Sequence, residues 1–130
     1  MFMNLIELSP EGNFESWEVT RLNELRSEQF VETLGHSPIY ENEEFRLYNI
    51  TLKPKERLPF RKITNDFSYT FMTDGFGVFH LGDGKIKFGQ FKKGDVYYYS
   101  IEKRGEVIID FENMSLGDLK FMVFELKPRS

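Results

Sequence analysis

The side chains of this sequence that could carry out chemistry are few and scattered. It has two histidines, His36 and His80, and no cysteine, which excludes disulfides, thiolate metal ligands and a cysteine nucleophile. The histidines form no short His-x-His or His-x-Glu pair, so a metal site that combines them with Asp83 or Glu41 is a weak hypothesis. We expect His80 to pack or hydrogen-bond on a strand and His36 to lie at the end of a helix.

Acid-base and nucleophilic groups give no stronger signal. The carboxylates Asp95, Asp110 and Glu112 could each act as a base, but no pair among them has a spacing typical of acid-base catalysis. Asp95 is expected to bond within its own Gly-Asp turn. The sequence contains no G-x-S-x-G, Walker or dinucleotide-binding motif. These absences count against hydrolases, kinases and dehydrogenases.

Two patterns divide the chain into elements that would position such groups. Apolar residues recur at about helical spacing in the first third and stop at Gly35, which predicts a helix over residues 20–34 after a strand over residues 2–8. From Tyr40 onward, short apolar alternations are separated by turn signals, as in an antiparallel barrel or sandwich. The predicted strands cover residues 45–52, 67–72, 77–81, 85–88, 95–100, 106–111 and 120–126.

Composition favours a single all-β domain. The 130 residues are enough for one core. Fourteen Phe and six Tyr occur but no alanine, which favours strands over helices. So many rings exceed what the interior of a small barrel readily holds, so we expect some to line a pocket or a subunit interface and predict a homodimer.

Charge and hydropathy argue against nucleic-acid and membrane partners. The net charge of −4 is unfavourable for binding phosphate backbones, and the group Lys85, Lys87, Lys92 and Lys93 is interpreted as solvated surface. No run of residues is apolar enough to span a membrane, and the first residues lack the features of a signal peptide. We therefore expect a cytoplasmic protein.

The segment PKERLPFRKITNDFSYTFMTDG, residues 54–75, resembles the first motif of the cupin superfamily. That motif runs Gly, five residues, His-x-His, four residues, Glu, six residues and Gly. Its positions fall here on Lys55, Arg61, Ile63, Ser68 and Gly75. Only the closing glycine is kept, and every metal-ligating side chain of the motif is replaced.

A second stretch supports the same resemblance, because Gly94 and Asp95 match the turn that opens the second cupin motif. The final Asn of that motif matches Asn113, and its ligand position falls on Ile109. The resemblance covers residues 40–127 and implies an all-β fold, a small antiparallel jelly-roll barrel in one domain over residues 1–130, with a strand and a helix in residues 1–39. Four replaced ligands leave one weak hydroxyl, so we predict no metal and no cofactor.

The resemblance also implies a set of side chains around the barrel interior. Arg61 would point inward. A buried guanidinium must then reach solvent at the barrel mouth, pair with a carboxylate or bind an anionic ligand. The alternative is that Arg61 lies in solvent. Lys62 would face solvent. Because side chains alternate along a strand, one face would line the interior with Ile63, Ser68, Thr70 and Met72. The other face would carry Phe67, Tyr69 and Phe71. At least one ring of Tyr97, Tyr98 and Tyr99 should project inward. The predicted ligand-binding set is Arg61, Ile63, Ser68, Thr70, His80, Tyr97, Tyr99 and Ile109.

Three functions remain open on this evidence. The first is a metal-free cupin that binds a small, possibly anionic molecule as a binding or regulatory module. The second is a metal-independent epimerase or isomerase acting on a sugar or small carboxylate; enzymes of that kind use a His-Asp pair, which the sequence does not identify. The third is a structural barrel with a filled core. The three functions predict different interiors: an open pocket with Arg61 inside, an open pocket with a His-carboxylate pair, or a filled barrel.

Overall fold

A computed structural model describes residues 4–7, 14, 17–27 and 38–127 of the chain. Ten strands and two short helices occur in these residues. The strands are β1 (Asn4–Glu7), β2 (Tyr40–Glu41), β3 (Phe45–Leu52), β4 (Arg57–Ile63), β5 (Phe67–Phe71), β6 (Gly75–His80), β7 (Ile86–Phe91), β8 (Val96–Tyr99), β9 (Val107–Asn113) and β10 (Leu119–Leu126), and the helices are α1 (Val19–Arg26) and α2 (Ile101–Arg104).

The strands form two five-stranded antiparallel sheets. The first sheet has the order β1-β7-β6-β9-β4 and the second has the order β2-β3-β10-β5-β8. Strands that are distant in sequence are neighbours in each sheet, as in a jelly roll, and the inner faces of the two sheets enclose the main core. The predicted all-β jelly roll is therefore confirmed, and each strand predicted from residue 45 onward overlaps an observed one.

Strand β4 was missed in the sequence because its alternation is interrupted. Its register against β9 shifts between Leu58 and Arg61, and the consecutive residues Phe60 and Arg61 are both buried. The bulge shifts the alternation, so that Leu58 lies in the main core whereas Phe60, two residues further on, packs with Trp17 outside it. The exposed Pro59 weakens the strand signal further.

Aromatic rings fill the space between the sheets. More than half of the buried residues in the main core are Phe or Tyr. The Phe71 and Phe91 rings stack with centroids 3.9 Å apart, and the Phe79 and Phe111 rings stack at 4.5 Å. The rings that the sequence predicts in excess thus lie largely inside the barrel.

The face predicted for β5 was wrong. Phe67, Tyr69 and Phe71 are buried in the core, whereas Ser68 and Thr70 lie on the outer face, and Met72 just beyond is 43 % exposed. The prediction counted positions from the motif. The free energy gained by burying three large rings decides the face instead.

Helix α1 packs on the outer face of the first sheet. Trp17, just before the helix, stacks on Phe60 at 5.8 Å between centroids, and Leu22 and Leu25 pack against the same small cluster. The predicted helix over residues 20–34 is observed as Val19–Arg26; residues 28–37 of that region, including His36, lie outside the described residues. Neither described helix is long and apolar enough to cross a membrane.

Gly77 allows the core rings to approach the backbone of β6, which gives a test of the packing. A Cβ atom at this position would overlap the Phe111 ring, whereas one at Gly117 would meet nothing within 4 Å. We expect Gly77→Ala to lower the free energy of unfolding by about 1–3 kcal/mol, as overpacked cores do, and Gly117→Ala to change it by less than about 0.5 kcal/mol. Urea denaturation of both variants measures this. Equal stabilities would contradict the described packing.

Candidate ligand site at the barrel mouth

The structure divides the eight predicted ligand-binding residues into three groups. Arg61 and Ile63 are buried inside the barrel, and Tyr97, Tyr99 and Ile109 line a pocket at its mouth. Ser68, Thr70 and His80 were wrongly assigned to the interior. Ser68 and Thr70 lie on the outer face of β5, and His80 lies on the outer face of the first sheet, against Trp17.

Arg61 lies inside the barrel, as the resemblance implied. Its side chain is buried, with Nη2 3.5 Å from the Tyr69 hydroxyl and the guanidinium carbon 5.7 Å from the centre of the Phe67 ring. Within the described part of the chain no carboxylate lies within 4 Å of it. None of its nitrogens is both fully buried and unpartnered, so the tip keeps contact with solvent. Lys62, the next residue, is exposed as predicted.

The positions that correspond to the metal ligands of cupins form no metal site here. The inward residues Arg61, Ile63 and Ile109 supply one permanent cation and two alkyl groups, and the neighbouring Tyr69 supplies a neutral phenol. First-row metals need deprotonated N, O or S donors, so these residues do not fit one. Among the residues that the structure describes, no group of three or more His, Cys, Asp or Glu is arranged to hold a metal ion.

The pocket at the barrel mouth has a volume of about 270 Å³. It lies beside the isolated bridge that joins Leu81 to Ile109. Its lining has three parts: apolar Leu81, Val107 and Ile109, aromatic Tyr97 and Tyr99, and charged Asp83, Lys85, Lys87, Arg104 and Glu106. The pocket therefore combines apolar and aromatic side chains with a group of charged ones, which we call its rim.

The charges of this rim do not cancel. Asp83 is paired with Lys85 at 3.8 Å, and Glu106 with Lys62, outside the pocket, at 3.8 Å. In the described residues neither Lys87 nor Arg104 has a carboxylate within 4 Å. Two cations thus face the pocket without an internal counterion.

The two tyrosines of the pocket have different roles. The Tyr99 hydroxyl donates to the Gly105 carbonyl at 2.9 Å, and its ring lies under Arg104. The Tyr97 hydroxyl is instead hydrogen-bonded by Arg104. Burial raises the pKa of Tyr97, an effect that the Arg104 charge opposes, so its hydroxyl remains a neutral donor at physiological pH.

Local structure explains how Lys87 and Arg104 reach the pocket. Lys87 shares a face of β7 with the buried Phe91, because residues an even number apart lie on one side of a strand. Arg104 ends the one-turn helix α2, which Ser100 caps and Gly105 ends with a φ of 75°. Sequence reasoning missed both: Lys87 was interpreted as solvated surface, and Arg104 was not among the candidate residues. The alternation of Lys87 with Ile86 was the usable signal.

His80 belongs to a buried network of charges beneath α1. Asp110, whose side chain is fully buried, accepts from the His80 backbone amide at 2.7 Å and lies 3.1 Å from His80 Nδ1. Arg21 Nη1 lies 3.1 Å from His80 Nε2, and Arg21 also pairs with Asp110 and Glu112. Because a guanidinium only donates, Nε2 must accept and Nδ1 must carry the proton that bonds Asp110.

Arg57 completes this network from β4. It donates to Asp110 Oδ2 through Nη2 at 2.8 Å and forms a two-pronged pair with Glu24 of α1. The Arg57 hydrogen bonds lower the pKa of Glu24. A His-Asp pair therefore exists, but it faces away from the barrel and its Nε2 is engaged by Arg21, so it serves to hold the helix.

Two other sequence assignments can be placed. Asp95 accepts from the Lys92 amide at 3.0 Å, which confirms that it bonds within its own turn. The Asn113 side chain is fully buried and donates to the carbonyls of Leu52 and Gly117. Both residues fix turns, and neither lines the pocket.

Replacing Arg61 tests whether its charge is structural. Arg61→Met keeps an unbranched, flexible side chain and removes a buried cation without a carboxylate, so we expect the free energy of unfolding to stay constant or rise by up to about 2 kcal/mol. Urea denaturation, with Arg26→Met on the exposed surface of α1 as control, measures this. A loss above about 1 kcal/mol specific to Arg61 would contradict it.

Asp110→Asn tests the network under α1. The change removes the buried carboxylate that Arg21 and Arg57 share and leaves them only Glu112 and Glu24, so we expect a loss of about 1.5–3 kcal/mol of unfolding free energy. Asp118→Asn, at an exposed turn, should have little effect. Thermal and urea unfolding of both variants provide the comparison. Similar stabilities would mean that the network contributes nothing.

Comparison with known proteins gives structural matches only. No family model matches the chain, and no curated protein matches it in sequence. A cupin domain from Bordetella pertussis Tohama I superposes with a TM-score of 0.62 at 18 % identity, over 71 % of this chain and 91 % of that one.

Two further solved structures agree. An RmlC-like cupin family protein with a double-stranded β-helix fold, from Methanocaldococcus jannaschii, gives a TM-score of 0.57 at 17 % identity, over 75 % of this chain and 84 % of that one. A cupin superfamily protein from Desulfitobacterium hafniense gives a TM-score of 0.53 at 15 % identity, over 70 % of this chain and 74 % of that one. At these identities the likeness concerns architecture: the chain has the cupin fold, the double-stranded β-helix that its degenerate motifs predicted.

Proposed function

We propose that this protein is a metal-free cupin that binds a small anionic molecule at the barrel mouth, as a binding or regulatory module. One observation carries the proposal: Lys87 and Arg104 face a concave pocket without a carboxylate partner in the described residues, next to the neutral donor Tyr97. Cations held in this way at a pocket attract an anion, and guanidinium and phenol groups can both donate to its oxygens.

The filled interior gives a second candidate, a purely structural barrel. Rings occupy the space between the sheets, so a ligand has room at the mouth and not at the ancestral metal position. The epimerase-type alternative has less support, because His80 and Asp110 are turned away from the pocket. The homodimer and the cytoplasmic location stay predictions.

Calorimetric titration with inorganic phosphate and with acetate tests the binding proposal. We expect at least one anion to bind with an affinity that falls as salt rises. At a hundredfold excess over its dissociation constant it should stabilise the native state by about 2.7 kcal/mol.

Substitutions locate the binding. Lys87→Met and Arg104→Gln should each weaken anion binding by about tenfold or more, in line with the loss of a charge-assisted contact. Lys120→Met, which removes an exposed lysine from the outer face of β10, is the matched control. Binding that ignores Lys87 and Arg104, or no binding at all, would favour the structural barrel.

A further inference from the structure

The mouth pocket adjoins a second cavity on the outside of the barrel. This outer groove has a volume of about 460 Å³ and shares four lining residues with the pocket: Leu81, Asp83, Glu106 and Val107. Lys62, Gly82 and Ile108 complete it. Since the same side chains border both cavities, the two lie next to each other at the end of the first sheet, and we refer to them together as the depression.

Alternation along β9 explains how one site reaches both sides of the sheet. Ile109 faces the mouth pocket, whereas the adjacent Ile108 faces the outer groove and packs against the cluster beneath α1. Gly82 donates its amide to the Ile108 carbonyl at 2.8 Å. A Cβ at Gly82 would lie 3.0 Å from the Ile108 Cβ, so the glycine keeps the groove open over that side chain.

Charge is distributed unequally between the two cavities. In the outer groove Lys62 is paired with Glu106, and Asp83 is paired with Lys85, so no full charge remains uncompensated there. Its contact surface is formed by Leu81, Val107 and Ile108. Both cations without a carboxylate partner, Lys87 and Arg104, line the inner pocket. The depression is therefore cationic at one end and apolar at the other.

We propose that the ligand is an amphiphilic dianion, with its doubly charged head between Lys87 and Arg104 and an uncharged apolar body in the outer groove. This inference rests on the proposed function and adds the class and the orientation of the ligand. Two unpaired cations match a head of charge near −2, which a phosphate monoester or a dicarboxylate supplies at neutral pH. A pocket of about 270 Å³ holds such a head, and the adjoining outer groove offers apolar surface to the body.

Titration with graded probes tests the two-part site. Inorganic phosphate, phenyl phosphate and 1-naphthyl phosphate form one series, and succinate and benzylsuccinate form the dicarboxylate series. In the series whose head fits the pocket, we expect the probe with the largest aryl group to bind about tenfold or more tightly than inorganic phosphate or succinate. The gain comes from apolar area buried in the outer groove. The series that shows the rise identifies the head. Uncharged 1-naphthol and the monoanion 1-naphthoate should bind at least tenfold more weakly than 1-naphthyl phosphate or benzylsuccinate.

Two variants separate the head from the body. Ile108→Thr and, independently, Gly82→Ala should remove most of the advantage of the aryl probes while leaving the affinity for the bare dianion unchanged, which also shows that the variants are folded. Lys87→Met should weaken every charged probe.

The outcomes distinguish the two proposals. If bare and aryl-bearing dianions bind equally and depend on Lys87, the mouth pocket binds anions and the two-part site is wrong. If 1-naphthoate binds as tightly as the dianions, the doubly charged head is wrong. If no anion binds, the proposed function fails, and this inference fails with it.

Discussion

The packing of aromatic rings between the two sheets constrains everything else in this molecule. Phe71, Phe79, Phe91 and Phe111 stack face to face or edge to face across the barrel, and such contacts add about 0.5–1.5 kcal/mol per pair to the burial of their area. These rings occupy the space between the sheets, whereas the pocket at the barrel mouth is lined by Tyr, Lys and Arg side chains among others.

The architecture could be predicted from the sequence because it depends on turn signals and strand alternation, and these patterns persist when individual residues are replaced. Turn signals such as Gly94-Asp95 and the alternation of β3 and β10 lie where the structure has them, although no metal ligand of the cupin motif remains. Each alternation specifies burial on one face, and burial is the dominant favourable term in folding. The fold could be predicted for that reason.

The candidate site could be predicted only in part. Tyr97, Tyr99 and Ile109 were found because strand alternation carries them to the mouth, whereas Ser68 and Thr70 were misplaced by a count of one residue along β5. Lys87 and Arg104 were missed because their role depends on which carboxylates are already paired. Ion pairing across strands is a property of the folded chain and leaves no local pattern.

The same limit applies to the network under α1. His80, Asp110, Arg21 and Arg57 come from four separate segments, and the sequence contains no spacing that joins them. Their convergence explains how a helix with no fully buried residue of its own is held to the sheet, since Arg21 and Glu24 on its inner side each meet an opposite charge. Apolar contacts through Trp17, Leu22 and Leu25 add to this attachment.

Strand β9 has a consequence for how this protein can change. Ile108, Ile109, Asp110 and Phe111 are consecutive, and in turn they border the outer groove, border the mouth pocket, anchor the helix and fill the core. A small displacement of this strand along its axis would disturb all four of these environments together. The neighbouring loops tolerate change more readily, since Asp83 and Glu106 border both cavities but belong neither to the core nor to the network beneath α1.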